Sequence, residues 1–92
     1  MTSHEIARQL KGKFTFGDAD NRGDDHRWFE LTLPDVPTVK VKVSHGNAEP
    51  GPTLVSKMAK QARVPSSFFK KMIECTRSKE QYYAVLRGAP AS

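Results

Sequence analysis

Cysteine is almost absent: Cys75 stands alone, so no disulfide can close within the chain, and a reducing compartment, the cytoplasm, is the expected location. No apolar run approaches the roughly 20 residues needed to cross a bilayer, and no basic start followed by an apolar stretch marks a signal peptide. No membrane role of the spanning kind is expected. Also missing are a glycine-rich phosphate cradle, a pair of cysteines for zinc, a serine on a nucleophile elbow, and any internal repeat or low-complexity tract. Negative charge is in short supply: ten Asp and Glu face fifteen Lys and Arg, for a net charge of +5. Such an excess attracts anionic partners, and nucleic acid, an acidic protein and an anionic membrane surface all stay open.

What is present is enough for one folded domain. Ninety-two residues cannot divide into two useful cores, and 37% apolar with 27% charged residues shows no apolar deficit. Thr2-Ser3-His4-Glu5 reads as a capping box, followed by Ile6, Ala7 and Leu10 at helical spacing and by Gly12, suited to a left-handed close. Lys13-Phe14-Thr15-Phe16 alternates and predicts a short first strand with both phenylalanines inward. Gly17 to Asp25 is turn chemistry throughout. Its aspartates suggest a calcium loop, but Phe29 stands where the closing glutamate would be required, so no metal is expected there.

The chain then turns to its most informative stretch. His26 to Leu33 alternates, and after Pro34-Asp35-Val36-Pro37 so do Val39, Val41 and Val43 against Lys40, Lys42 and Ser44, which predicts an antiparallel hairpin. Keeping both apolar sets on one face, the predicted register opposes Leu33 to Val39, Leu31 to Val41 and Phe29 to Val43. The outer face then gathers His26 opposite Gly46, Trp28 opposite Ser44, Glu30 opposite Lys42, and Thr32 opposite Lys40. His45, at the strand exit, falls next to Arg27 and by parity on the other side. A solvated face whose lysines deter edge pairing is one reading. A large aromatic beside lysines is also the combination that stacks a splayed base and holds its phosphate, which favours nucleic acid.

Three further helices are predicted. Pro52 opens one carrying Leu54, Val55, Met58, Ala59 and Ala62, with Lys57, Lys60, Gln61 and Arg63 covering the rest, and Val64-Pro65 ends it. Ser66 or Ser67 caps the next, with Phe68, Phe69, Met72 and Ile73 on one broad face and Cys75 as a small buried hydrophobe near its end. Ser78 to Gln81 is a second capping box, ahead of Tyr82, Tyr83, Val85, Leu86 and the closing Gly88. The expected architecture is α+β: an α-β-β-β-α unit whose three-stranded antiparallel sheet carries helices on one face, within one domain over 1–88. A helical extension starts at about residue 66, and a disordered tail covers 89–92.

The order helix, three strands, helix, with Gly23-Asp24-Asp25-His26-Arg27-Trp28-Phe29 opening the second strand, resembles the HicA toxin family, whose Gly-Ser-His-His-x-Phe type segment it matches at His26 and Phe29. Val43-Ser44-His45, Thr53-Leu54 and Lys60-Gln61-Ala62 are similar to later landmarks, so the likeness spans about residues 3 to 65. The resemblance implies a double-stranded-RNA-binding-like fold, metal-independent cleavage of messenger RNA without a cofactor, His26 as the catalytic residue, and neutralisation by an acidic HicB-like antitoxin. The residues themselves add Trp28 as a stacking platform, Lys40 and Lys42 as phosphate holders, and Arg27 and His45 as further nucleic-acid contacts. An imidazole titrating near ~6.5 can carry a proton either way. Asp24 and Asp25 depart from the family pattern, and acidic neighbours raise proton affinity, which favours an acid over a base. The rival expectation is a non-catalytic module that binds nucleic acid or protein through the same face.

Overall fold

The computed structural model describes residues 1–19, 26–44 and 49–91, with His26 described by its backbone alone. The first capping box is present: the Thr2 hydroxyl accepts from the Glu5 amide, and the Glu5 carboxylate accepts from the Thr2 amide, each at 3.1 Å. Helix α1 (Ser3–Gly12) follows and buries Ile6 and Leu10. Gly12 does not close it in a left-handed conformation; it is the last helical residue, and the positive φ falls on Thr15 at 61°. The amides of Lys13 and Phe14 both turn back to the Gln9 carbonyl, and that of Phe16 to Leu10. With these donors committed to ending the helix, Lys13–Phe16 cannot join a ladder, and the predicted first strand there does not form. Pairing begins at β1 (Gly17–Asp18), while Phe14 and Phe16 are nevertheless buried as expected.

Strand β1 pairs antiparallel with β2 (His26–Leu33), and β2 with β3 (Val36–Ser44), so β2 is central. The register is displaced by two residues from the one predicted. Leu31 opposes Val39, Phe29 opposes Val41, Arg27 opposes Val43, Trp28 opposes Lys42 and Glu30 opposes Lys40. The cause is the turn: only Pro34 and Asp35 make it, Val36 and Pro37 already belong to β3, and an irregularity between Leu31 and Leu33 absorbs the odd residue. A shift of two preserves the alternation, so Phe29, Leu31, Val39, Val41 and Val43 stay buried while Thr32, Lys40 and Lys42 stay exposed.

Helix α2 (Pro52–Gln61) begins with proline at its first position, as predicted, and buries Val55, Met58 and Ala59. Leu54, predicted within the same stripe, is 45% exposed. The helix lies along the outer edge of β3, where Gln61 Oε1 accepts from the Lys42 amide at 3.0 Å and the Arg63 guanidinium donates to the carbonyls of Pro37 and Thr38 at 2.9 and 3.0 Å. Three of the edge strand's backbone groups are thereby occupied.

Two more helices complete the fold, α3 (Ser66–Ile73) and α4 (Lys79–Leu86). Neither Ser66 nor Ser67 caps α3; extended Pro65 takes that position, its carbonyl accepting from the Phe69 amide at 3.0 Å. The Ser78 capping box of α4 forms as predicted. Cys75 is exposed rather than buried, because it is the left-handed residue (φ 66°) just beyond α3. Tyr82 enters the core edge-on to Phe14 (5.6 Å between centroids) and stacked near Phe16 (6.2 Å), and its hydroxyl donates to the Ala62 carbonyl at 3.0 Å. Burial holds its phenol well above the usual range. Beyond α4, the Ala89 amide donates to the Ala84 carbonyl and Ala91 packs on the core.

The architecture is thus α+β, an α-β-β-β-α unit with a three-stranded antiparallel sheet and two additional helices. All four helices share one apolar core with the inner sheet face. The Cα radius of gyration, 12.3 Å, is that of a single compact 92-residue body, so α3 and α4 are folded onto the unit rather than extended from it.

Candidate nucleic-acid interface

The Lys42 amide points to Gln61 and away from β2, so Trp28 and Lys42 meet as a non-hydrogen-bonded pair, the type that brings side chains closest. The Lys42 ammonium lies 5.8 Å from the centroid of the Trp28 ring, within reach of cation–π attraction. Trp28 is half-buried and Lys40 and Lys42 are exposed. Glu30 opposes Lys40 instead of the predicted Lys42, and the two side chains form no ion pair. The structure therefore assembles Trp28 and Lys42 more intimately than the predicted register would, with Lys40 one step further along the face.

His26 opens β2 opposite Ser44, not opposite Gly46, and its side chain lies outside the described residues, as do His45, Asp24 and Asp25. Arg27 does not join Trp28. It sits on the side of Phe29, its guanidinium 5.0 Å from that ring, and donates to Asp18 Oδ1 at 3.0 Å. Asp18 also accepts from Lys11 Nζ at 2.9 Å, and these two cations hold its carboxyl below the usual carboxylate range, Lys11 contributing most. The aspartate-bearing loop, predicted as turn chemistry without a metal, therefore begins with a carboxylate already committed to two cations; Asp20, Asp24 and Asp25 lie outside the described residues. Among the described residues no three His, Cys, Asp or Glu side chains gather as metal ligands, and no helix is long and apolar enough to cross a membrane.

A cleft of about 240 Å³ adjoins the Trp28–Lys42 pair. Lys42 and Ser44 form one wall, Leu54, Lys57, Met58 and Gln61 of α2 the other, and Ser3 and Pro50 close its end. This feature escaped the sequence reading, which assigned Leu54 to the core and Lys57 and Gln61 to the solvated remainder of the helix. Residues 54, 57, 58 and 61 do lie at spacings of three and four, so they share a helix face. A lysine and a glutamine within that face were the available signal.

Compared with known proteins, the chain matches no protein-family model, no curated protein and no solved structure. The structure defines an α+β domain with an open, lysine-bearing sheet face; the HicA resemblance rests on the motifs quoted above and on nothing further.

Proposed function

We propose that the protein is a HicA-like ribonuclease that cleaves single-stranded messenger RNA in the cytoplasm. The observation carrying this reading is the Trp28–Lys42 pair on the open face of β2 and β3, two positions along the strand from His26. An unpaired base stacks on Trp28, and Lys42 with Lys40 holds the adjoining phosphate. In the reaction the 2′-oxygen loses its proton and bonds to phosphorus, the bond from phosphorus to the 5′-oxygen breaks, and the departing oxygen gains a proton. His26 carries the proton at one of these two ends, and the lysines offset the charge that accumulates on the phosphoryl oxygens. By the same resemblance, an acidic HicB-like antitoxin is the protein partner, drawn to the chain's net charge of +5.

Purified protein should cut single-stranded RNA in the presence of EDTA, and His26→Ala should abolish cutting while leaving the circular dichroism spectrum and RNA affinity close to those of the wild type. RNA bound but left intact by the wild type would reduce the protein to a binding module. RNA neither bound nor cut would remove the reading altogether.

A further inference from the structure

From the cleft beside β3 we infer that the protein holds a second, unstacked nucleotide there, with guanine preferred over adenine. The apolar part of the wall is Leu54, the one exposed large hydrophobic among the described residues, together with buried Met58. The cleft's volume, about 240 Å³, is below the ~300–1,000 Å³ of pockets that enclose drug-sized molecules, which suits one planar base rather than a longer segment. In its polar part the amide and ammonium groups are donors, and the Ser3 and Ser44 hydroxyls can donate or accept. Gln61 Oε1 is committed to the Lys42 amide, which can only donate; that bond fixes which end of the side-chain amide is the oxygen and leaves its NH2 group, on a residue that lines the cleft, without a partner among the described residues. Lys42 and Lys57 add two ammonium groups, and neither has an acidic partner among the described residues.

The amide and ammonium donors select a base edge made of acceptors. Guanine presents O6 and N7 side by side, whereas adenine replaces O6 with an amino donor that would meet Gln61 donor to donor. Lys57 then takes the phosphate of the inserted nucleotide. Lys42 takes the phosphate shared with the base on Trp28, because it borders both positions. The inference deepens the RNA reading and rests on it for the source of the nucleotide, but the cleft can be tested without any cleavage.

The experiment is a methyl NMR titration of the whole chain with guanosine 5′-monophosphate, adenosine 5′-monophosphate and inorganic phosphate, run beside the RNA-cutting assay. Saturable shifts of the Leu54 and Met58 methyls are expected with the guanosine nucleotide, about tenfold weaker binding with the adenosine nucleotide, and no shift of these methyls with phosphate alone. Lys57→Ala and Leu54→Ala should each weaken the guanosine interaction by about tenfold; both side chains are exposed, so the fold should survive. Gln61→Glu keeps an acceptor for the Lys42 amide while exchanging the NH2 donor for an acceptor, and it should invert the preference towards adenine. Silent methyls, equal shifts from phosphate alone, or a preference unaltered by Gln61→Glu would each overturn the inference, even if the wild type cuts RNA. Saturable, guanine-selective shifts in a protein that cuts no RNA would keep the cleft as a nucleotide site and remove the ribonuclease.

Discussion

Two residues show how the same strained backbone can have opposite consequences. Arg63 and Cys75 both sit at positive φ (65° and 66°) immediately after a helix, in the position usually given to glycine. The bonding around them is alike: the Val64 amide reaches Ala59 and the Thr76 amide reaches Lys71, each five residues back. A left-handed non-glycine residue costs about 1–2 kcal/mol, and a glycine there would return about half of that through added freedom of the unfolded chain. Cys75 offers little in exchange, since its thiol is exposed, so Cys75→Gly should stabilise the fold by about 0.5–1 kcal/mol in urea denaturation. Arg63 offers more, because its guanidinium holds the Pro37 and Thr38 carbonyls on the edge of β3. Arg63→Gly should therefore give no gain, ending about 1–2 kcal/mol below Cys75→Gly. Equal gains from the two substitutions would mean that the arginine does not secure the sheet edge.

At the scale of elements, periodicity made most of the fold legible and local hydrogen bonding decided the rest. The inner and outer residues of β2 and β3 follow from alternation alone, which is why the faces survive a register displaced by two. Which residues face one another could not be read, since Pro34 to Pro37 looks like one turn while only Pro34 and Asp35 make it. The first strand was misplaced for a similar reason: alternating phenylalanines showed burial correctly, but not that their amides belong to the end of α1. Of the candidate site, Trp28 and the lysines were legible as a face, whereas Gln61 and Lys57 were not, because their contribution depends on α2 lying along β3. The role of α4 likewise emerges only in three dimensions. Tyr82 fills the space beside Phe14 and Phe16, and the Tyr83 hydroxyl donates to the Phe14 carbonyl at 3.1 Å, so the last helix closes the core rather than trailing from it. Tyr82→Ala should accordingly cost about 3–5 kcal/mol. Tyr82→Phe should cost only about 1–2 kcal/mol, for the orphaned Ala62 carbonyl. Chemical denaturation of both variants checks this, and a near-neutral Tyr82→Ala would show that α4 is dispensable.

Across the whole molecule, charge is distributed unevenly for a chain with a net +5. Asp18 is held by Lys11 and Arg27, and Asp35 by Arg87, whose guanidinium also keeps that carboxyl below its usual range. Lys40, Lys42 and Lys57 take part in none of these pairs and have no ion-pair partner among the described residues. If those three lysines hold phosphates of a single strand, each should contribute about −0.7 to the slope of log affinity against log salt, about −2 in all. Raising salt from about 50 to about 200 mM should then weaken RNA binding by about 16-fold. Trp28, the sole tryptophan, reports the same event directly, since a base stacking on it should quench its fluorescence. Lys40→Ala, Lys42→Ala and Lys57→Ala should each make the slope shallower by about 0.7 without abolishing the quench. A slope near zero in the wild type would mean that no phosphate meets these lysines. A slope unchanged by one substitution would remove that lysine from the path of the strand while leaving the others on it.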